Sequence, residues 1–307
     1  MTKATERGAT ERGGGVAVIA LILANVALAF GPLFVRMADT GPVSAGFWRL
    51  TLALPVLALL AMQQREPLSG YRGAIWWLLA AGGVAFALDL ATWNFGIERT
   101  KLANATLFGN MGSVIMVVYG FIISRAWPHK AEIGAVTLAI GGAVLLMGSS
   151  YELDVRNLVG DLFCLAAGVL YVVYLLIIRH VRTDMGSWSV LVWSTVFGTL
   201  PLLAIALAMG EPVWPTDWTP VIALAICGQL IGQGLMVYSL RHFSPVVLGL
   251  ALLSQPAIAA ATGWLAFGEG LSLADWAGMI AIGVALVLVR LPEARRAARL
   301  AGRPQAS

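Results

Sequence analysis

Few residues in this chain have side chains able to do chemistry, and those few lie inside long apolar runs, where a polar group is costly and needs a protein, water or ligand partner. Asp89 is the acid well inside such a run, at 74–97. Its spacing puts it on one helical face with Gly82, Phe86 and Trp93. Asp89 and Trp93 are therefore expected to look into one space. There the carboxylate would meet a substrate amine or a coupling proton, or else be held by neighbouring hydroxyls and amides. Gln229 and Gln233 stand one turn apart in the run 219–240 and offer amide donors and acceptors to a zwitterion. The alternative is plain interhelical bonding, worth about 0.6 kcal/mol on average. Gly228 and Gly232 beside them form a GxxxG that favours close helix packing.

Asn110-Met111-Gly112 and Ser254-Gln255-Pro256 fall mid-run, where glycine or proline softens a helix and leaves carbonyls free. Asn110 and Gln255 are the candidates there, weighed against a packing kink that touches no ligand. Tyr171 and Tyr174 share a face with Ala167 and Ile178 and could stack on an aromatic or apolar substrate while keeping their hydroxyls for hydrogen bonds. For Tyr174, ordinary packing is the expectation. Asn25 adds one more polar group in the first run. Arg49 is a potential anion binder, but its place near the start of its run favours snorkelling or a structural ion pair.

Enzymatic chemistry lacks its parts. His129, His180 and His242 sit at run ends, and there is no HExxH, no GxSxG and no cluster of acids. The two cysteines, Cys164 and Cys227, have no metal-ligand spacing. Neither a metal nor a cofactor is implied. Net charge is +4, yet the basic residues are scattered between apolar runs and in a C-terminal tail, which argues against nucleic acid.

The elements that must position these residues follow from composition. Hydrophobic residues make up 59% of the chain and charged residues 12%, against about 25% charged in a soluble domain. Lipid must be the solvent. Runs long enough for a bilayer occur at about 16–36, 43–63, 74–97, 102–123, 131–148, 158–178, 188–209, 219–240, 245–267 and 273–291. The first run continues past Ala27-Leu28-Ala29, so a span is expected there rather than a cleaved leader. Residues 1–15 and 292–307 read as cytoplasmic tails, the second of them basic. With the N-terminus cytoplasmic, fifteen Lys and Arg fall on that side and four on the other. Both termini are thus expected inside.

A shift of about 144 residues lays the first five runs (16–148) on the second five (158–291). Trp48 nearly meets Trp193, Asp89 meets Gln233, Asn110 meets Ser254, and Gly134 meets Gly278. An odd number of spans per copy inserts the second copy upside down. The expected fold is an all-α membrane protein of ten transmembrane helices in two inverted five-helix repeats. That is an architecture of secondary transporters, with the site at the repeat interface near the midplane.

Phe47-Trp48-Arg49-Leu50-Thr51-Leu52-Ala53 resembles the aromatic-x-Arg-x-x-x-Ala opening of the second helix in EamA-type drug/metabolite transporters. Pro256, Phe267-Gly268-Glu269, Gly278 and Gly283-Val284 resemble that family's pattern across helices 9 and 10. In the first half Gly112 replaces the proline and Arg125 the glutamate, while Gly134 is kept. The resemblance implies inverted repeats and export of amino acids, related metabolites or drugs, with general similarity to the aromatic amino-acid exporter branch. The reading is an inner-membrane bacterial exporter of amino acids, aromatic or apolar ones favoured, and of related metabolites or organic cations. Its partners are a small-molecule substrate, membrane lipid and, where export is coupled, protons. The alternative is a lipid or lipid-linked metabolite flippase of the same superfamily, but a phosphate-handling flippase should carry several cations at midplane depth, and only Arg49 is present.

Overall fold

Apolar runs bounded by Gly-Pro and Glu-Pro pairs become helices, because in lipid a helix satisfies every backbone group within one segment. A computed structural model describes residues 2–100, 102–124, 130–148, 157–267 and 270–301. Arg125, Gly268 and Glu269, on which part of the family pattern rests, lie outside these. All ten expected runs are helical. The helices are α1 (Thr2–Ala29), α2 (Gly31–Met37), α3 (Pro42–Gln63), α4 (Gly73–Ile97), α5 (Leu102–Ser124), α6 (Lys130–Gly148), α7 (Leu158–Val181) and α8 (Ser187–Ala208). After these come α9 (Thr219–Leu224), a π-helical segment (Ala225–Gln233), α10 (Gly234–Ser239), α11 (Pro245–Leu252), α12 (Gln255–Phe267) and α13 (Leu273–Ala301). Six described stretches are long and apolar enough to cross a membrane, and Phe108–Ser124, Pro245–Ile258 and Leu273–Leu288 are shorter apolar helices. Trp77, Ile122, Leu200 and Leu265 are each more than 70% exposed. Large apolar side chains turned outward in this number belong to a protein whose solvent is hydrocarbon.

Three spans are not the simple rods the runs suggest. The first is interrupted at Phe30, where Gly31-Pro32 opens α2. The ninth breaks at Leu253–Ser254, because Pro256 has no N–H to give and its ring opposes a continuous helix through this point. The expected softening at Asn110–Gly112 does not occur: α5 runs unbroken through it. Gly112 instead lets two backbones meet, since a Cβ there would fall 2.3 Å from the Gly168 carbonyl oxygen of α7. The eighth span holds the π segment, which no residue pattern signalled.

The chain divides into two compact units that cut across its two sequence halves. The larger comprises Met1–Gly112 and Glu152–Phe243, the smaller Ser113–Tyr151 and Ser244–Ser307. In the larger unit α4 packs along α7, and α3 and α4 pack along α8. Glycines make the α4–α7 seam close. A Cβ on Gly96 would lie 2.6 Å from the Cys164 sulfur, and one on Gly82 would lie 3.3 Å from Ile177 and Ile178. In the smaller unit α6 packs along α13, with Gly142 and Gly278 each facing the other's carbonyl at 2.6 Å from a would-be Cβ.

Candidate functional site

Arg49 lies in the second turn of α3, 8% exposed. It does not snorkel, contrary to expectation. Its Nε donates to Gln229 Oε1 at 3.3 Å and its Nη2 to the Gly228 carbonyl at 3.1 Å. The partner is the π segment, where the i→i+5 pattern widens the helix and shifts residues out of α register. Gly228 is what allows the approach, since a Cβ there would stand 3.1 Å from the guanidinium carbon. The other face of Arg49 lies over the Phe86 ring of α4, 5.6 Å from its centroid, where a desolvated cation gains from the ring's negative face. Phe86 stacks on Tyr174 of α7 at 4.5 Å and 19°, and Tyr174 lies 6.1 Å from Tyr171 at 28°.

The two glutamines of the π segment do different work. Gln229 is fully engaged: its Oε1 accepts from Arg49 and its Nε2 donates to Thr195 Oγ1 of α8 at 3.0 Å. Gln233 accepts from the Tyr171 hydroxyl at 3.0 Å, but its buried Nε2 has no partner among the described residues. Asp89 is 8% exposed, and its carboxylate makes no hydrogen bond and no ion pair within 4 Å among the described residues. Arg49 acts on it only through its field. A buried carboxylate and a buried amide donor without partners are expensive. Their presence in one cluster makes it the candidate site.

Of the expected site residues, the structure brings Asp89, Tyr171, Gln229 and Gln233 into this cluster. The other expected residues are placed as follows. Trp93 packs against an apolar core of Val35, Trp48, Ile97 and Ala105 and leans on Gly109. The Asn25 amide donates to the Leu21 carbonyl of its own helix at 2.8 Å. Asn110 is buried in the stretch of α5 that meets Gly168. Gln255 opens α12 in the smaller unit. The residues underrated from the pattern are Arg49, Phe86, Tyr174 and Thr195. Arg49 had a usable signal, as the cation of the core runs.

Chemically the cluster holds one cation, one anion, one open amide donor and three stacked aromatic rings. It draws Arg49, Phe86 and Asp89 from the first half of the sequence and Tyr171, Tyr174, Thr195, Gln229 and Gln233 from the second. No group of three His, Cys, Asp or Glu among the described residues is placed to hold a metal ion. The equipment suits reversible binding of a small polar molecule with an apolar part.

Known proteins share this architecture. A solved crystal structure superposes with a TM-score of 0.74 over 92% of this chain and 98% of its own, at 17% identity. The chain is 24% identical over 267 residues to the threonine/homoserine exporter RhtA of Salmonella typhimurium, covering 82% of this chain and 85% of that protein. It is 25% identical over 286 residues to an uncharacterised transporter of Synechocystis, covering 84% of each. The profile of the EamA-like transporter family matches residues 15–148 and again 158–291. The chain is thus a multi-pass membrane transporter of small molecules, and it belongs to the EamA-like transporter family.

Proposed function

We propose that this transporter exports amino acids and related small metabolites across a bacterial inner membrane, by alternating access around the Arg49–Asp89 cluster. The observation that carries the reading is the cluster itself: buried charges and an unpartnered amide donor, contributed by both halves of a duplicated chain. A similar protein that bears the name of an amino-acid exporter supports the substrate class. The stacked Phe86, Tyr174 and Tyr171 rings favour aromatic or apolar side chains. The lysine and arginine bias supports cytoplasmic termini. With Arg49 the sole cation in the cluster, a phosphate-bearing lipid head is poorly matched, so the flippase alternative gains nothing from the geometry.

The test is a substrate screen in proteoliposomes, with and without an imposed pH gradient. Movement of L-phenylalanine or L-threonine above protein-free vesicles is expected. Movement of another chemical class while both amino acids stay put rejects the reading. A rate that rises with the gradient would mark coupled export, with Asp89 the acid placed to carry the proton. A rate indifferent to the gradient would mark a facilitator.

A further inference from the structure

The cluster contains opposite charges that do not meet. Arg49 and Asp89 are both buried, yet no nitrogen of one lies within 4 Å of an oxygen of the other. Two opposite charges in a low-dielectric site attract strongly and would normally close into a hydrogen-bonded pair. Arg49 is held back by three anchors: the Gln229 side-chain Oε1, the Gly228 backbone carbonyl and the Phe86 face. Those anchors use Nε and Nη2, and Nη1 makes no hydrogen bond among the described residues. Gln233 Nε2 is a second open donor in the same cluster, its amide fixed by the Tyr171 hydroxyl. The protein thus presents open N–H donors, a separate open carboxylate, and an aromatic wall of Phe86, Tyr174 and Tyr171.

From this we infer that the site selects a zwitterion with a free α-carboxylate and a free α-ammonium, inserted between Arg49 and Asp89. The inference rests on the export reading and narrows its substrate class. The ligand's carboxylate takes Arg49 Nη1 and Gln233 Nε2, and its ammonium takes Asp89. Its side chain lies along the stacked rings. Charge balance makes the argument selective. With a zwitterion in place each buried charge has a partner and the site stays neutral. An organic cation of the same shape satisfies Asp89 and leaves Arg49 facing an apolar group. A carboxylate lacking the amine leaves Asp89 so exposed. Either mismatch strands a buried charge, and a site built to bond a group rejects analogues lacking it by about 100-fold or more.

The experiment uses wild-type protein in proteoliposomes and three ligands with one ring: L-phenylalanine, 2-phenylethylamine (a cation) and 3-phenylpropionate (an anion). Labelled L-phenylalanine is the transported probe, with labelled L-threonine run in parallel for a site that takes a smaller side chain. Unlabelled amino acid should compete, and each singly charged analogue should need about 100-fold more. Two variants then swap the preference. Arg49→Gln removes the cation and should shift relative affinity toward 2-phenylethylamine. Asp89→Asn should shift it toward 3-phenylpropionate. Damage to folding alone would lower all three ligands together, and that pattern in both variants counts against the pairing. Equal competition by the cation and the amino acid on wild-type protein overturns the inference while leaving export intact. Transport of neither amino acid overturns the export reading itself.

Discussion

The carboxylate of Glu211 caps the helix that begins beside Ser44, 167 residues earlier in the chain. It accepts from the Ser44 amide at 2.8 Å and the Val43 amide at 3.3 Å, the open donors of the first turn of α3. Glu66, 145 positions before Glu211, does the same for α8 through the Ser189 amide at 2.8 Å. The tryptophans follow suit. Trp48 Nε1 donates to the Val213 carbonyl at 2.6 Å, and Trp193 Nε1 to the Leu68 carbonyl at 2.9 Å. Each glutamate leaves the C-terminus of one helix and closes the N-terminus of the other, so α3 and α8 are antiparallel and tied at both ends. Gly41 and Gly186 make room, since a Cβ on either would fall within 2.5 Å of the opposing carboxylate.

Glu66→Ala and Glu211→Ala should therefore each destabilise the protein. A capping side chain is worth about 1 kcal/mol, and a negative charge at a helix N-terminus adds a few tenths more. Both should appear as lowered unfolding midpoints in detergent. The caps sit at opposite ends of the α3–α8 pair, so the double variant should lose the sum of the two. A double variant no worse than either single one would show that the caps do not act independently.

The exposed Asp39 supplies a pH-dependent tie on the same face as Glu211. Its carboxylate accepts from the Thr216 hydroxyl, the Thr216 amide at 2.9 Å and the Asp217 amide at 3.0 Å. The bond from the Thr216 side chain, then that from the Asp217 amide, hold its pKa below the ordinary aspartate value. A depressed acid contributes stability above its unfolded pKa of about 4, and that contribution is lost as pH falls through the folded value. The wild type should thus lose thermal stability faster than Asp39→Asn as the pH is lowered from about 5 to about 3. Parallel pH profiles for the two proteins would remove the tie from the account.

Much of the fold was legible because span length and punctuation are set by the lipid itself. The candidate cluster was legible where a polar residue inside an apolar run is conspicuous, as for Asp89 and Gln233. Arg49 was misjudged because depth was reckoned from the start of its run, while its partners Gly228 and Gln229 lie about 180 positions away. The π segment was illegible since Ala225–Gln233 is made of ordinary span residues, and one extra residue per turn leaves no mark in composition. Glu66 and Glu211 were not legible as caps, because a cap delivered from the far half of the chain has no local signature.

Gln229 holds the Arg49 guanidinium from one side while Thr195 holds Gln229 from the other, so in the proposed binding mode it would act on a ligand through Arg49. Thr195→Val keeps the shape and removes the hydroxyl. It should raise KM for the transported amino acid by about tenfold, the worth of one buried hydrogen bond, with little change in kcat. Thr195→Ser, which restores a hydroxyl, should recover most of the affinity. A loss in both variants alike would mean that the methyl group, and hence packing, is what matters.

The two capping turns differ in one residue, and that difference predicts a gain. Each helix ends in the same closing pattern: the Glu66 amide bonds back to the Ala61 carbonyl at 2.9 Å, and the Glu211 amide to Ala206 at 3.0 Å. Such an end needs its preceding residue in the left-handed region. After α8 that residue is Gly210, φ +69°, and after α3 it is Arg65, φ +54°. A side chain at such a φ costs about 1–2 kcal/mol, which glycine avoids. Glycine in turn raises the entropy of the unfolded chain, which takes back about 0.5–1 kcal/mol. Arg65→Gly should therefore stabilise the protein by up to about 1 kcal/mol and raise its unfolding midpoint. Gly210→Arg, the reverse exchange at the matching turn, should lower it. Were Arg65→Gly to lower the midpoint, the Arg65 side chain would have to make a stabilising contact larger than the strain it carries.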